Sequence, residues 1–159
     1  MKERMKKLMN YLMLLAAMLL LHPAVQATEK GTADEAVAMV KKAADFLKKN
    51  GKDKALAEFN NPKGQFIQKD LYIFAFGANG DGVELANGAN IKLVGKNVKE
   101  MKDADGKYLI KDILALGMGA EGKGWVDYKW VNPGTGLMDG KRTYVERVDD
   151  VIIGCGIYK

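Results

Sequence analysis

Lys141, Arg142 and Tyr144 stand within four positions of one another, and Tyr128 and Lys129 lie on the β-prone run before them. Two ammonium groups, a guanidinium and two phenols are the donors a carboxylate needs when it leaves water for an apolar site. Phe74, Phe76, Trp125 and Trp130 supply rings that exclude water and fix the size of an occupant. Together these residue types are suited to holding a compact anion without altering it. The means for covalent chemistry are thin. The sole His, His22, falls in an N-terminal stretch set apart below, and the chain contains no Ser. Cys155 is the only Cys, which rules out an intramolecular disulfide. Flanked by Gly154 and Gly156 in an apolar run, it reads as a buried thiol with no base to activate it. Zinc and haem sites need His or Cys sets that are missing, so no metal or cofactor is expected. No spaced acid–base constellation appears, and an enzyme is not expected.

The elements that position these groups come mainly from the C-terminal third. Gly124 to Trp130, Lys141 to Arg147 and Val151 to Tyr158 are rich in aromatic and branched residues. Asn132-Pro133-Gly134-Thr135-Gly136 and Asp149-Asp150 separate them as turns, which predicts an antiparallel meander. Strand alternation places Val126, Tyr128 and Trp130 on one face and Trp125, Asp127 and Lys129 on the other. Lys141 and Tyr144 are an odd number of residues apart. Both reach one pocket only if Lys141 precedes its strand or a bulge intervenes. Tyr128, Trp130, Lys141 and Tyr144 are the favoured pocket members, and Arg147 is available to pair with Asp127 or Glu146.

Upstream, Thr32-Ala33-Asp34-Glu35 fits a capping box, and Ala36, Val40, Ala43 and Leu47 recur at helical spacing. Gly51 stops that helix, and a shorter one is predicted over Asp53 to Phe59. Leu71 to Phe76 reads as a strand paired with Val83 to Ala86 through a Gly- and Asn-rich turn. A third helix is expected to start near Asp105 and stop at Gly117. Helices, a hairpin, a helix and three strands make an α+β domain with an antiparallel sheet.

Two motifs fail on context. Gly117-Met118-Gly119-Ala120-Glu121-Gly122 matches the dinucleotide fingerprint, but a helix precedes it and a strand follows, the reverse of what phosphate binding needs. Asp103-Ala104-Asp105-Gly106 begins like a calcium loop, yet Lys107 and Leu114 occupy positions where that loop needs oxygen ligands. These aspartates read instead as a helix cap.

Residues 1–27 carry the layout of a secretory signal peptide. Lys2, Arg4, Lys6 and Lys7 precede an apolar run from Tyr11 to Leu21, and Val25-Gln26-Ala27 offers a cleavage site. That run is short against the roughly 20 residues a membrane-spanning helix needs. Residues 28–33 then form a linker and 34–159 a single domain, expected to be exported to the periplasm or secreted. The formal net charge is +5. Cleavage would remove four of the 25 basic residues and one of the 20 acidic ones, which leaves a near balance. That balance argues against a nucleic-acid partner.

The runs Gly124 to Trp130, Asn132-Pro133, Lys141-x-Thr143-Tyr144-Val145 and Ile153 to Tyr158 resemble the single Cache domain family, type 2. Phe59-Asn60-Asn61-Pro62-Lys63-Gly64, Asp70 to Phe74, Gly95-Lys96-Asn97 and Lys102 to Gly106 are similar to it as well. The likeness runs from about Asp34 to Lys159. It implies a PAS-like sensor fold, with a long N-terminal helix on one face of a central antiparallel sheet and ligand on the other. Members of that family are sensing parts of chemoreceptors, histidine kinases and cyclases, and short carboxylates are among their ligands. The resemblance therefore implies non-covalent binding of a small carboxylate-like anion in signal transduction or chemotaxis. Phe74, Phe76, Trp125, Tyr128, Trp130, Lys141 and Tyr144 are its expected surroundings. No apolar span or output domain follows the meander in this sequence, so the expectation is a free-standing exported protein. The alternative is an interaction protein with a vestigial pocket, docking on a membrane receptor or sensor kinase.

Overall fold

Thr32 opens the first helix through the reciprocal bonds its sequence calls for. Its hydroxyl accepts from the Glu35 amide at 3.2 Å, and the Glu35 carboxylate accepts from the Thr32 amide at 2.8 Å. The computed structural model describes residues 29–159; the proposed leader lies outside the described residues. Helix α1 spans Ala33–Asn50, with Asp34 and Glu35 at its positive end and Lys48 and Lys49 in its last turn. Gly51, at φ 80°, ends it and leads directly into α2, Lys52–Phe59. The α1 stripe Ala36, Met39, Val40, Ala43, Ala44 and Leu47 is buried against one face of the sheet.

The strands are β1 (Ile67–Gln68), β2 (Leu71–Gly77), β3 (Glu84–Asn87), β4 (Lys123–Val131), β5 (Met138–Val148) and β6 (Val151–Tyr158). Their order is β1-β2-β6-β5-β4, all antiparallel, with β3 also paired to β2. The last strand of the chain therefore lies at the centre of the sheet, clamped between β2 and β5. Leu71, Ile73, Ala75, Ile153 and Cys155 face α1 and α2. Tyr72, Phe74, Phe76, Val126, Tyr128, Val145, Ile152 and Tyr158 face the other way. Helix α3, Leu109–Met118, covers that second face with Leu109, Ile110, Ile113 and Leu114.

The α+β architecture and the meander agree with the sequence reading, and the helix-to-strand passage from Met118 to Lys123 occupies the glycine-rich stretch as expected. The start of the third helix differs. Tyr108, not an aspartate, precedes its first turn, without a side-chain cap. Asp103 is used otherwise: Oδ1 accepts from the amides of Asp105 and Lys107, each at 2.9 Å, and Oδ2 accepts from the Lys129 amide at 3.0 Å. These bonds, led by the one from Lys129, hold its carboxyl below the usual range. The loop is thereby pinned to β4, and the helix begins only after it. Among the described residues no helix is long and apolar enough to cross a membrane.

Candidate functional site

Strand alternation on the α3 side of the sheet gathers one row of side chains from each strand. Lys141 on β5 lies opposite Tyr128 on β4 and Tyr158 on β6, so a cation is set between two phenols across both ladders. The space for its stem comes from β6. A Cβ at Gly156 would fall 2.4 Å from Lys141 Cε and 2.3 Å from Thr143 Oγ1, and one at Gly154 would fall 2.3 Å from Phe74 Cζ. The two glycines beside Cys155 let a lysine and an aromatic ring lie flat on the strand. The Cys155 thiol, on the opposite face, is buried and packs 3.8 Å from Met39 Sδ. Burial pushes it up to about 12, so it is an inert thiol.

Lys141 is 1% exposed. Its Nζ donates to Tyr72 Oη at 2.6 Å and sits 4.0 Å from the Tyr72 ring centroid and 4.9 Å from that of Tyr158. Tyr158 Oη donates to the carbonyl of Val131 at 3.0 Å, and a carbonyl can only accept. Tyr158 can therefore only accept in its 3.3 Å contact with Tyr72, which makes Tyr72 the donor there. The bonds run one way, from Lys141 through Tyr72 and Tyr158 to the backbone. One of the three ammonium protons is used. Among the described residues Lys141 forms no salt bridge with a carboxylate.

Burial lowers Lys141 to about 7; Cys155, Asp70 and Glu84 act against that shift. Glu84 on β3 is 3% exposed and raised to about 7, again by burial, with the Asn87 hydrogen bond and the charge of Lys141 opposing. Its Oε1 accepts from Asn87 Nδ2 at 2.8 Å. Asn87 is itself held by the amides of Ala89 and Asn90 at 3.1 and 2.8 Å. Tyr128 and Thr143 share a hydroxyl bond at 2.9 Å. Burial raises the phenols of Tyr72, Tyr128 and Tyr158, which keeps them as neutral donors.

These groups line a cavity between the sheet and α3. Tyr72, Phe74, Phe76, Tyr128, Trp130 and Lys141 form the sheet wall, with Glu84 and Asn87 at its side. Leu93, Val98, Met101, Leu109, Ile110 and Ile113 close the opposite wall. The space open to the centre of a water molecule is about 20 Å³, room for roughly one or two waters. The site is an apolar slot with a single ammonium and a single carboxyl, and it can enclose a small polar solute.

Of the residues singled out from sequence, Phe74, Phe76, Tyr128, Trp130 and Lys141 come together here. Trp125 and Tyr144 do not. Their rings pack against each other at 5.4 Å on the α1 side, and Tyr144 donates to Glu146 at 3.2 Å. The reason is register: β5 pairs with β6 without interruption from Lys141 to Val148, so no bulge corrects the odd spacing. Arg142 also faces that side, 5.2 Å from the Trp125 ring. Asp127 pairs with Lys159 at 2.7 Å and Arg142 at 3.7 Å, not with Arg147. Lys129 turns outward to Asp105 at 2.8 Å. Tyr72, Glu84, Asn87 and Tyr158 were missed. Tyr72 was within reach, because it shares the two-residue period of Phe74 and Phe76.

A six-stranded antiparallel sheet with a long helix on one face and a pocket on the other defines a PAS-like fold. The sequence matches the family single Cache domain 2 over residues 1–159, and the chain belongs to that family. No curated protein gives a sequence match. Among solved structures, a methyl-accepting chemotaxis protein from Vibrio parahaemolyticus is similar at 24% identity and a TM-score of 0.66, covering 79% of this chain and 86% of that one. A Cache chemosensory domain, solved for the structural basis of its carboxylic acid recognition, is similar at 23% identity and 0.67, covering 79% and 92%. The periplasmic sensor domain of a chemotaxis protein is similar at 21% and 0.60, covering 79% and 88%.

Proposed function

We propose that this chain is an exported sensor module that holds a short carboxylate non-covalently in the cavity beneath α3. The observation that carries the reading is Lys141: a buried ammonium on an apolar wall, without a carboxylate partner among the described residues and with two protons to spare. Burying such a charge unpaired is unfavourable, and an anionic occupant reverses that. The flanking phenol of Tyr128 and the rings of Phe74, Phe76 and Trp130 complete a compact enclosure. The carboxylic acid recognition of a structural relative supports the choice of anion. The leader-like pattern of residues 1–27 supports an exported location. The narrow slot favours short acids over longer ones.

The test is calorimetry and thermal shift of the chain against acetate, propionate, butyrate and lactate. The expected result is saturable binding of the shorter acids, lost in Lys141→Ala and unchanged in Tyr144→Phe, whose hydroxyl lies on the opposite face. Absence of binding across the panel, or binding that survives Lys141→Ala, refutes the assignment.

A further inference from the structure

We propose that a monocarboxylate entering this cavity brings a proton with it, and that Glu84 receives that proton and donates it as a hydrogen bond to the bound anion. The proposal rests on the reading just given and concerns how that site is regulated.

Glu84 and Asp70 are the buried acids among the described residues, and of the two only Glu84 lines the slot that holds Lys141. It is buried, it faces the same slot as Lys141, and its carboxyl is engaged by a single protein donor, Asn87, at Oε1. No donor among the described residues reaches Oε2. A carboxylate ligand drawn to Lys141 must therefore share this narrow slot with a second carboxyl. Two bare carboxylates in so narrow a slot repel strongly, and such pairs are stable when they share one proton. Protonated Glu84 becomes a donor, and an acid–carboxylate hydrogen bond takes the place of that repulsion.

The surrounding groups leave Glu84 and Lys141 as the pair that responds. From β2 the cavity receives Tyr72, from β4 Tyr128, and Tyr158 of β6 adjoins Lys141; all three phenols are held neutral by burial. Cys155, behind β6, is raised to about 12. Asp70, at the head of β2, favours the charged form of Lys141. The wall formed by α3 and the 91–101 segment contributes only apolar side chains such as Leu93 and Ile110. Glu84 and Lys141 both sit near 7, so each is only partly protonated in the empty site at neutral pH. A bound negative charge raises both. The step is an addition of ions: the proton comes from solvent or buffer, and no covalent bond in the ligand changes.

The experiment is calorimetry of acetate and propionate near pH 7.5 in HEPES and in Tris, buffers whose ionisation heats differ widely. The difference between the two observed heats gives the protons taken up per ligand bound. About one to 1.5 protons are expected, because Glu84 and Lys141 both gain, and the dissociation constant should then rise at least about tenfold per pH unit above neutrality. Glu84→Gln keeps the size and the Asn87 contact but cannot titrate; its uptake should fall to half that of the wild-type protein or less. Wild-type binding with no proton uptake, or an uptake in Glu84→Gln more than half that of the wild type, overturns the proposal while leaving the binding assignment intact. No heat with either acid in either buffer would overturn both. The buffer comparison on the wild-type protein decides the matter even if the variant does not fold.

Discussion

Replacing Lys141 with methionine should make the protein more stable and unable to bind its ligand. Burial brings the lysine from 10.5 to about 7, a difference of 3.5 units between unfolded and folded chains. At 1.36 kcal/mol per unit, this is roughly 5 kcal/mol of destabilisation when the unfolded lysine is fully charged. Methionine fills a similar volume without charge. It forfeits the hydrogen bond to Tyr72 and the ring contacts, together about 1–3 kcal/mol. The net expectation at neutral pH is a gain of about 2–4 kcal/mol, in line with substitutions that replace buried ions by apolar groups. The sign fixes a pH signature. The folded value lies below the unfolded one, so the folded state binds fewer protons between about 7 and 10.5. Wild-type stability therefore rises with pH across that window, and the destabilisation is fully present only below about 7. The advantage of Lys141→Met should thus be largest at neutral and acidic pH and shrink toward pH 10. Urea denaturation of both proteins from about pH 6 to about pH 9 reads this out directly. A variant less stable than wild type at neutral pH, or an advantage that does not change with pH, would refute the reasoning.

Two further substitutions test the frame around that lysine. Gly156→Ala places a methyl 2.4 Å from Lys141 Cε and 2.3 Å from Thr143 Oγ1, so it should lower the urea midpoint by the equivalent of about 1–3 kcal/mol and abolish ligand-induced thermal stabilisation. Thr32→Ala removes one half of the box that caps α1, a helix packed on the opposite face of the sheet from the cavity; a loss of about 1 kcal/mol by denaturation with carboxylate affinity unchanged is the expected outcome.

Where local chemistry decides the structure, the sequence was sufficient to read it. Thr32 and Glu35 set the start of α1, Gly51 its end, and the aromatic runs from Gly124 onward the three strands of the meander. The site was only half legible, for reasons that can be assigned to individual residues. In β4 one face is wetter than the other, so alternation sorted Tyr128 and Trp130 from Trp125 correctly. In β2 both faces are buried, so Leu71 to Phe76 is a continuous apolar run and its period carries no contrast. Tyr72 disappeared into that run although its hydroxyl accepts the hydrogen bond of Lys141. Tyr144 was drawn toward the pocket by proximity to Lys141 in sequence, while the unbroken β5–β6 register turned it away.

Glu84 was the hardest to see, and the reason bears on what the site is. In sequence it is one acidic residue in a short strand after a turn, the ordinary setting of a solvated carboxylate. Its burial depends on β3 docking against β2 with a register shift between Ala75 and Phe76, and on α3 closing the cavity from a segment some thirty residues later. Lys141, on the same cavity, is equally misleading, since it reaches the cavity only because β6, the last strand, supplies Gly156 beneath it. Neither feature is written in a local pattern, and neither serves stability, because each charge is displaced toward its neutral form. A fold that needed only a core would place apolar residues at both positions. Their presence on one small cavity, with the phenols arranged to stay neutral around them, is the arrangement expected of a site whose missing stabilisation is supplied by what it binds.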